Sequence, residues 1–331
     1  MNEFRAAGRP GGSAGGLEKL PWAPAENFLG LPDDQVEFDA AGVVILPVPY
    51  EATVSYMGGT RFGPRALLHA SRFVELYDHE LDTDPHTIGI HTLPSLMLSG
   101  AGPAKALREL RRAFDALLDT GKFVIMLGGE HSVSGPPILA HAARGGERRL
   151  SVLQLDAHAD LRDEYEGTPL SHACVMHRVH EHVRLVQVGI RSLTRDERAL
   201  IRRTRITTIF GHELDDATWM DRALAALGRD VYITIDVDFF DPALMPSTGT
   251  PEPGGATWNP TIQFLDRVFR ERNVVGADVV ELAPLPGIVA PDFLAAKLVY
   301  KLIGFRARAA ASLPATRSVA RRRGTSRSGR D

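Results

Sequence analysis

Three short segments concentrate side chains that can hold cations and move protons: Gly128-Gly129-Glu130-His131-Ser132, Asp156-Ala157-His158-Ala159-Asp160 and Asp236-Val237-Asp238. In extended backbone, residues i, i+2 and i+4 point the same way, so Asp156, His158 and Asp160 share one side, as do Asp236 and Asp238. Four aspartates aimed into one space repel unless a multivalent cation neutralises them. His131 and His158 bring the ligand set to six. Four carboxylates and two imidazoles, with no thiolate, suit a borderline-hard divalent ion. Calcium rarely takes histidine and magnesium keeps its waters. Manganese fits best, with iron, cobalt, nickel and zinc as alternatives. Six ligands with bridging carboxylates can hold two metals about 3.5–4 Å apart and activate a water between them. Each segment alone has a plainer explanation, as a strand-end capping cluster or a glycine turn. Their joint occurrence points to a metal centre.

The elements that must position these residues are short apolar runs rich in β-branched side chains. Val43–Val48, Phe123–Leu127, Ser151–Leu155, Leu185–Val188, Thr207–Phe210, Val231–Ile235 and Val275–Val280 read as buried strands. Amphipathic stretches lie between several of them. Ala104–Asp119 carries Leu107, Leu110, Phe114, Leu117 and Leu118 at helical spacing, and Ala217–Leu227 follows Asp215 and Asp216 as capping residues. Alternation of strand and helix predicts an α/β fold, a parallel sheet covered on both faces. Four of the strands run into the chemistry-bearing residues, the last of them into Glu281. In such a sheet the carboxyl ends of the strands form the ligand crevice.

Composition sets the limits. The 331 residues are 44% hydrophobic and 24% charged, an ordinary globular balance. The single cysteine, Cys174, excludes an intrachain disulfide, a Cys-based zinc finger and an iron–sulfur cluster; as a small buried hydrophobe it is assigned no catalysis. No apolar run reaches the length of a membrane span, and with no secretory signal the cytoplasm is the default. From Arg306 onward eight arginines and one aspartate give +7, which, against −3 for the whole chain, leaves −10 elsewhere. An acidic globular part collects cations and argues against nucleic acid as a partner. Residues 1–20 read as a flexible, glycine-rich leader, 21–305 as one catalytic domain, and 306–331 as a basic, disordered tail. Were the tail to bind nucleic acid, its binding would be salt-sensitive and lost with the residues after Phe305.

The three motifs resemble the metal-binding segments of the ureohydrolases, the family that includes arginase and agmatinase. Ser55-Tyr56-Met57-Gly58-Gly59-Thr60-Arg61-Phe62-Gly63-Pro64, Glu164–Ala173, Ser247–Gly255 and Asp278–Pro284 are similar to agmatinase-type segments, and the resemblance runs from about Asn27 to Phe305. It implies a three-layer αβα sandwich around a mainly parallel sheet, assembled as a homo-oligomer, a trimer or hexamer. It also implies two Mn2+ per subunit. His131, Asp156, Asp160 and Asp236 would hold one and His158, Asp156, Asp236 and Asp238 the other, with Asp156 and Asp236 bridging. The reaction implied is hydrolysis of a guanidinium to urea and an amine. Asp160 would take a proton from the attacking water and pass it to the leaving nitrogen. Glu281 would hold the guanidinium through paired hydrogen bonds, and His172 would be a proton shuttle or substrate contact. Asp241 would hold the metal loop in shape. Glu252 would be either an outer partner of the site or part of a plain turn. His177, His180 and His182 read as a solvated surface.

The substrate is less constrained. Arginases bind the α-carboxylate and α-amine with a Thr/Ser-rich loop after DxHxD, whereas here that stretch is Leu161-Arg162-Asp163-Glu164-Tyr165-Glu166-Gly167. Its acidity points to a decarboxylated, cationic substrate: agmatine first, giving putrescine, with N1-aminopropylagmatine and guanidinobutyrate as alternatives. Arg162 would be the counter-charge for guanidinobutyrate. Asp163, Glu164 and Glu166 either attract the distal amine or form a solvated loop. Deacetylases of similar fold use one zinc and fewer aspartates, and a metal-binding homologue without turnover would lack a ligand or the glutamate.

Overall fold

The computed structural model describes residues 26–32, 35–145, 149–216 and 218–311. Eight strands form one sheet: β1 (Val43–Val48), β2 (Ile90–Thr92), β3 (Phe123–Gly128), β4 (Ser151–Leu155), β5 (Arg184–Ile190), β6 (Thr207–Phe210), β7 (Asp230–Asp236) and β8 (Asn273–Val280). Their spatial order is β2-β1-β3-β8-β7-β4-β5-β6 and every pairing is parallel. The seven expected strands all form. β2 escaped because three residues at an edge, only one of them buried, carry no periodic pattern.

The helices are α1 (Gly63–Ser71), α2 (Pro103–Leu118), α3 (Gly135–Arg144), α4 (Val175–Val179), α5 (Arg195–Thr204), α6 (Thr218–Ala226), α7 (Trp258–Glu271) and α8 (Ala290–Ala311). Alternate residues of each strand serve opposite layers, which makes the three-layer sandwich. Ile45, Ile125, Leu155 and Ile233 pack with Leu67 of α1, Trp219 of α6, Phe264 of α7 and Leu298 of α8. On the other face Leu46, Val124 and Met126 meet Leu110 and Phe114 of α2, while Val152 and Tyr232 meet Ile138, Met176 and Leu200 from α3, α4 and α5. Full burial of a Leu, Ile or Phe contributes about 1.5–3 kcal/mol, so the two helical layers hold the sheet in place behind the strand ends. Asp216 caps α6 as expected, its carboxylate accepting from the Thr218 N–H and hydroxyl.

α8 runs to Ala311, six residues past the expected boundary at 305. Lys301, buried within it, pairs with Asp78 at 2.8 Å and Glu80 at 2.6 Å. The expected leader lies outside the described residues, as does the expected tail from 312 onward.

Candidate metal centre and active site

The strand order explains how distant segments meet. β3, β8, β7 and β4 are consecutive in the sheet, so their carboxyl ends lie about 4.8 Å apart, one beside the next. They deliver His131, Glu281, the Asp236–Asp238 pair and the Asp156–Asp160 run to one crevice. Gly129 is required at the first of these turns, since a Cβ there would lie 1.9 Å from the Tyr50 carbonyl oxygen.

The acidic cluster is almost wholly buried: Asp156, Asp236, Asp238 and His131 are each at most 4% exposed and Asp160 5%. His131 Nδ1 lies 3.1 Å from Asp156 Oδ2, 3.0 Å from Asp160 Oδ2 and 3.4 Å from Asp236 Oδ2. It makes no hydrogen bond in this position. His158 Nδ1 lies 2.9 Å from Asp238 Oδ2 and 3.8 Å from Asp156 Oδ1. Asp156 therefore turns one oxygen to each histidine. Two ligand groups result, His131–Asp156–Asp236 and Asp156–His158–Asp238. Asp236 belongs to the first group only, its other oxygen accepting the Asp238 N–H at 2.9 Å, and Asp160 falls in neither group, though its Oδ2 lies 3.0 Å from His131 Nδ1.

Burial and mutual repulsion dominate the electrostatics. Desolvation, then the Asp160 and Asp238 charges, push Asp156 up to about 7. Desolvation and the same crowding raise Asp236 well above the carboxylate range. Desolvation alone would lower His158, but Asp238, Asp156 and Asp160 outweigh it and raise it to about 11. Desolvation raises Glu281 well above its ordinary value. Metal-free, the cluster holds protons where a cation would neutralise it. An orphaned buried imidazole nitrogen facing three carboxylates fits a divalent ion, and the all-O,N donor set fits a borderline-hard one.

Outer contacts lock these side chains, most of them from residues to which the sequence assigned no role. His131 Nε2 lies 2.9 Å from Thr234 Oγ1, which donates to Asp278 Oδ1 at 2.6 Å; the Tyr232 hydroxyl donates to Asp278 Oδ2 at 2.8 Å. With Nε2 donating to Thr234, Nδ1 is left to face the carboxylates. Gln154 Nε2 donates to Asp156 Oδ2 at 2.7 Å, and Gln187 donates in turn to Gln154. Asp160 and Glu281 both have left-handed backbones, with φ of 52° and 65°, a cost of about 1–2 kcal/mol for a non-glycine residue. The Asp160 carbonyl accepts from the Met176 and His177 N–H groups. The Glu281 N–H donates to the Gly129 carbonyl at 2.8 Å and its Oε1 accepts from the His131 N–H at 2.6 Å.

A cavity of about 290 Å³ opens over the cluster, lined among others by Asp160, His172, Glu281, Arg162, Tyr165 and Glu252. His172 is placed by Glu130 and Thr53. The buried Glu130 carboxylate accepts from the Ala52 and Thr53 N–H groups, both at 2.6 Å, and from the Thr53 hydroxyl at 2.8 Å. Thr53 Oγ1 accepts the His172 N–H at 3.0 Å and lies 3.3 Å from His172 Nδ1. Asp241 staples its loop as expected, accepting from the Ala243, Gly254 and Gly255 N–H groups, which hold its carboxyl low.

Two open readings narrow, and one expectation changes. Asp163 pairs with Arg178 and lies 3.5 Å from His177, and neither it nor Glu164 nor Glu166 lines the cavity, so the loop after DxHxD presents Arg162 and Tyr165 to the site rather than its carboxylates. His177 and His180 are half-buried rather than solvated; His177 Nδ1 lies 2.8 Å from the Leu161 carbonyl and fastens the backbone beside the cluster. Glu252 is more than a turn residue, since its carboxylate reaches the cavity. Cys174 is buried and unbridged, burial pushing its thiol up to about 11, which suits a packing role.

Residues 41–304 match the model of the Arginase family. Over 273 residues the chain is 42% identical to the N(1)-aminopropylagmatine ureohydrolase of Synechocystis sp., an alignment covering 80% of this chain and 89% of the relative. It is 33% identical to the agmatinase of Pyrococcus horikoshii, covering 82% and 95%. Among solved structures it is similar to the proclavaminate amidino hydrolase of Streptomyces clavuligerus, with a TM-score of 0.79 at 27% identity, covering 87% of this chain and 98% of that one. The motif spacing, the all-parallel sheet and the paired ligand groups agree with these matches, and the chain belongs to the arginase family of ureohydrolases.

Proposed function

We propose that this enzyme hydrolyses the guanidino group of a small decarboxylated cation to urea and an amine, with agmatine the first substrate and putrescine the product. The observation that carries the reading is the pair of buried ligand groups sharing Asp156, with Glu281 beside them in the same cavity. His131, Asp156, Asp160 and Asp236 would hold one manganese ion, and His158, Asp156, Asp236 and Asp238 the other. When bound, such a pair supplies a water activated for attack at neutral pH.

The remaining steps belong to the chain. A guanidinium is a flat cation with two N–H groups on each edge, and Glu281 offers it the carboxylate oxygen not used by the His131 N–H. Asp160 would accept the water's proton and return it to the leaving nitrogen, a role supported by its place in the cavity lining, 3.0 Å from His131 Nδ1. His172, held against Thr53 at the cavity wall, would carry a proton between the leaving amine and solvent.

N1-aminopropylagmatine is the second reading, favoured by the 42% identity to a relative of that name against 33% to the agmatinase. Guanidinobutyrate is the third, since Arg162 lines the cavity, its guanidinium 4.6 Å from the Tyr165 ring centre. The three separate by urea release from the manganese-loaded enzyme on each compound in parallel. Self-association belongs to the same proposal: Phe62, Phe73 and Val289, each more than 60% exposed, line one surface hollow.

A further inference from the structure

With the carboxylates of the 161–167 loop outside the cavity lining, the cavity still needs a group that distinguishes a cationic tail from a neutral or anionic one. Three glutamates line it: Glu197, Glu252 and Glu281. Glu197 is spent within its own turn, accepting from the Leu161 and Thr194 N–H groups and the Thr194 hydroxyl. Glu281 lies deep, against the His131 N–H. Glu252 remains at the half-open side, its side chain 37% exposed and its Oε1 4.0 Å from His158 Nε2.

The loop under Glu252 is built rigidly. Its carbonyl accepts from Arg191 Nη2 at 2.8 Å and Nε at 3.2 Å. The same guanidinium also donates to the Asp238 carbonyl through Nη2 and to the Gly189 carbonyl through Nη1. Asp241 clamps the following Gly254 and Gly255. Arg191 thus ties the loop that carries Glu252 to the loop that carries Asp238, fixing one carboxylate relative to the other. A carboxylate held on a fixed loop beside a cavity is what recognition of a ligand ammonium requires; its one ion pair among the described residues is the 4.0 Å contact to His158, an imidazole that a bound metal would keep neutral.

Resting on the ureohydrolase reading above, we infer that Glu252 is the specificity-determining residue that receives the distal ammonium of the substrate. A guanidinium held by Glu281 places its alkyl tail along the cavity, and the charged end meets Glu252. The enzyme then takes dications, rejects guanidines with a neutral end, and disfavours those ending in a carboxylate.

The test compares wild type, Glu252→Gln and Glu252→Asp, all manganese-loaded, on agmatine, N1-aminopropylagmatine, butylguanidine and guanidinobutyrate, with metal content measured for each protein. Wild type is expected to prefer a dication over butylguanidine by about tenfold or more in kcat/KM. Glu252→Gln is expected to erase that gap through KM, leave butylguanidine unchanged, improve guanidinobutyrate relative to the dications, and keep the wild-type metal content; Glu252→Asp should recover part of the preference. If wild type hydrolyses butylguanidine as well as the dications, or if Glu252→Gln slows all four equally, the inference is overturned while the ureohydrolase reading stands. If Glu252→Gln loses metal with the preference intact, Glu252 orients His158 instead. Urea from none of the four overturns the functional reading itself, and this inference with it.

Discussion

Replacing Thr234 with valine removes one hydroxyl and almost no volume, yet that oxygen joins His131 to Asp278. It lies 2.9 Å from His131 Nε2 and donates to Asp278 Oδ1 at 2.6 Å, and all three residues are at most 1% exposed. Valine leaves the Nε2–H without an acceptor and Asp278 with one fewer donor; the Tyr232 hydroxyl remains. A buried unsatisfied polar group costs about 1–3 kcal/mol and a charged one more, so the variant should lose about 3–5 kcal/mol. That is a large share of a total of about 5–15 kcal/mol and corresponds to a fall in Tm of about 4–7 °C for a chain of this size. Released from its acceptor, His131 also loses its fixed tautomer, and outer partners of this kind are worth about 10–100-fold in metal affinity. Thermal unfolding of the metal-free protein and calorimetric titration with Mn2+ read the two effects separately. Thr234→Ser keeps the hydroxyl and should stay within about 1 kcal/mol and threefold of wild type. A valine variant that matches wild type in both, or a serine variant as impaired as valine, would refute the relay.

Glu281→Gln keeps an acceptor for the His131 N–H but loses the charge facing the guanidinium, so the protein should retain both metals while kcat/KM falls about a hundredfold or more; near-normal kcat/KM would remove Glu281 from substrate binding. Asp236→Asn halves the charge of a ligand group and should lower metal content, measured by mass spectrometry, and abolish urea release. Metal-free, the protein should lose stability as pH rises from about 4 to about 7. Native Asp156, held at about 7, keeps a proton that the unfolded chain releases near 4, so ionisation favours unfolding over that window. Mn2+ should raise Tm more at pH 8 than at pH 5, and equal shifts at the two pH values would contradict the exchange of protons for metal.

The sheet was legible because its strands are β-branched runs buried on both faces, and the site because its ligands follow those runs at spacing two. Strand order was not legible. That β3, β8, β7 and β4 are neighbours depends on long crossovers whose paths leave no local pattern, and it is this adjacency that closes the cluster. The relays were hidden for a related reason. Thr234 and Asp278 lie inside strands, where a lone polar residue among apolar ones carries no motif, and their partner His131 is over 100 residues away in sequence. Glu130 sat within a motif read for its histidine, and only the fold brings Ala52 and Thr53 onto its carboxylate. The role of the acidic loop stayed open because composition does not report direction: Asp163 pairs with Arg178. Glu252 stayed between an outer partner of the site and a plain turn because its loop of Gly and Pro residues reads as a turn, and Arg191, which anchors that loop, is 61 residues away.

The central claim, that the paired ligand groups and Glu281 cleave a guanidinium, is tested most directly by urea release. The enzyme is stripped of metal, reconstituted with Mn2+, and assayed with agmatine, N1-aminopropylagmatine, guanidinobutyrate and arginine in parallel, with bound metal counted in the same samples. Two metals per chain and urea from a decarboxylated guanidine well above that from arginine are expected. Two metals per chain with urea from none of the four would contradict the assignment, leaving the metal centre in place and the chemistry wrong.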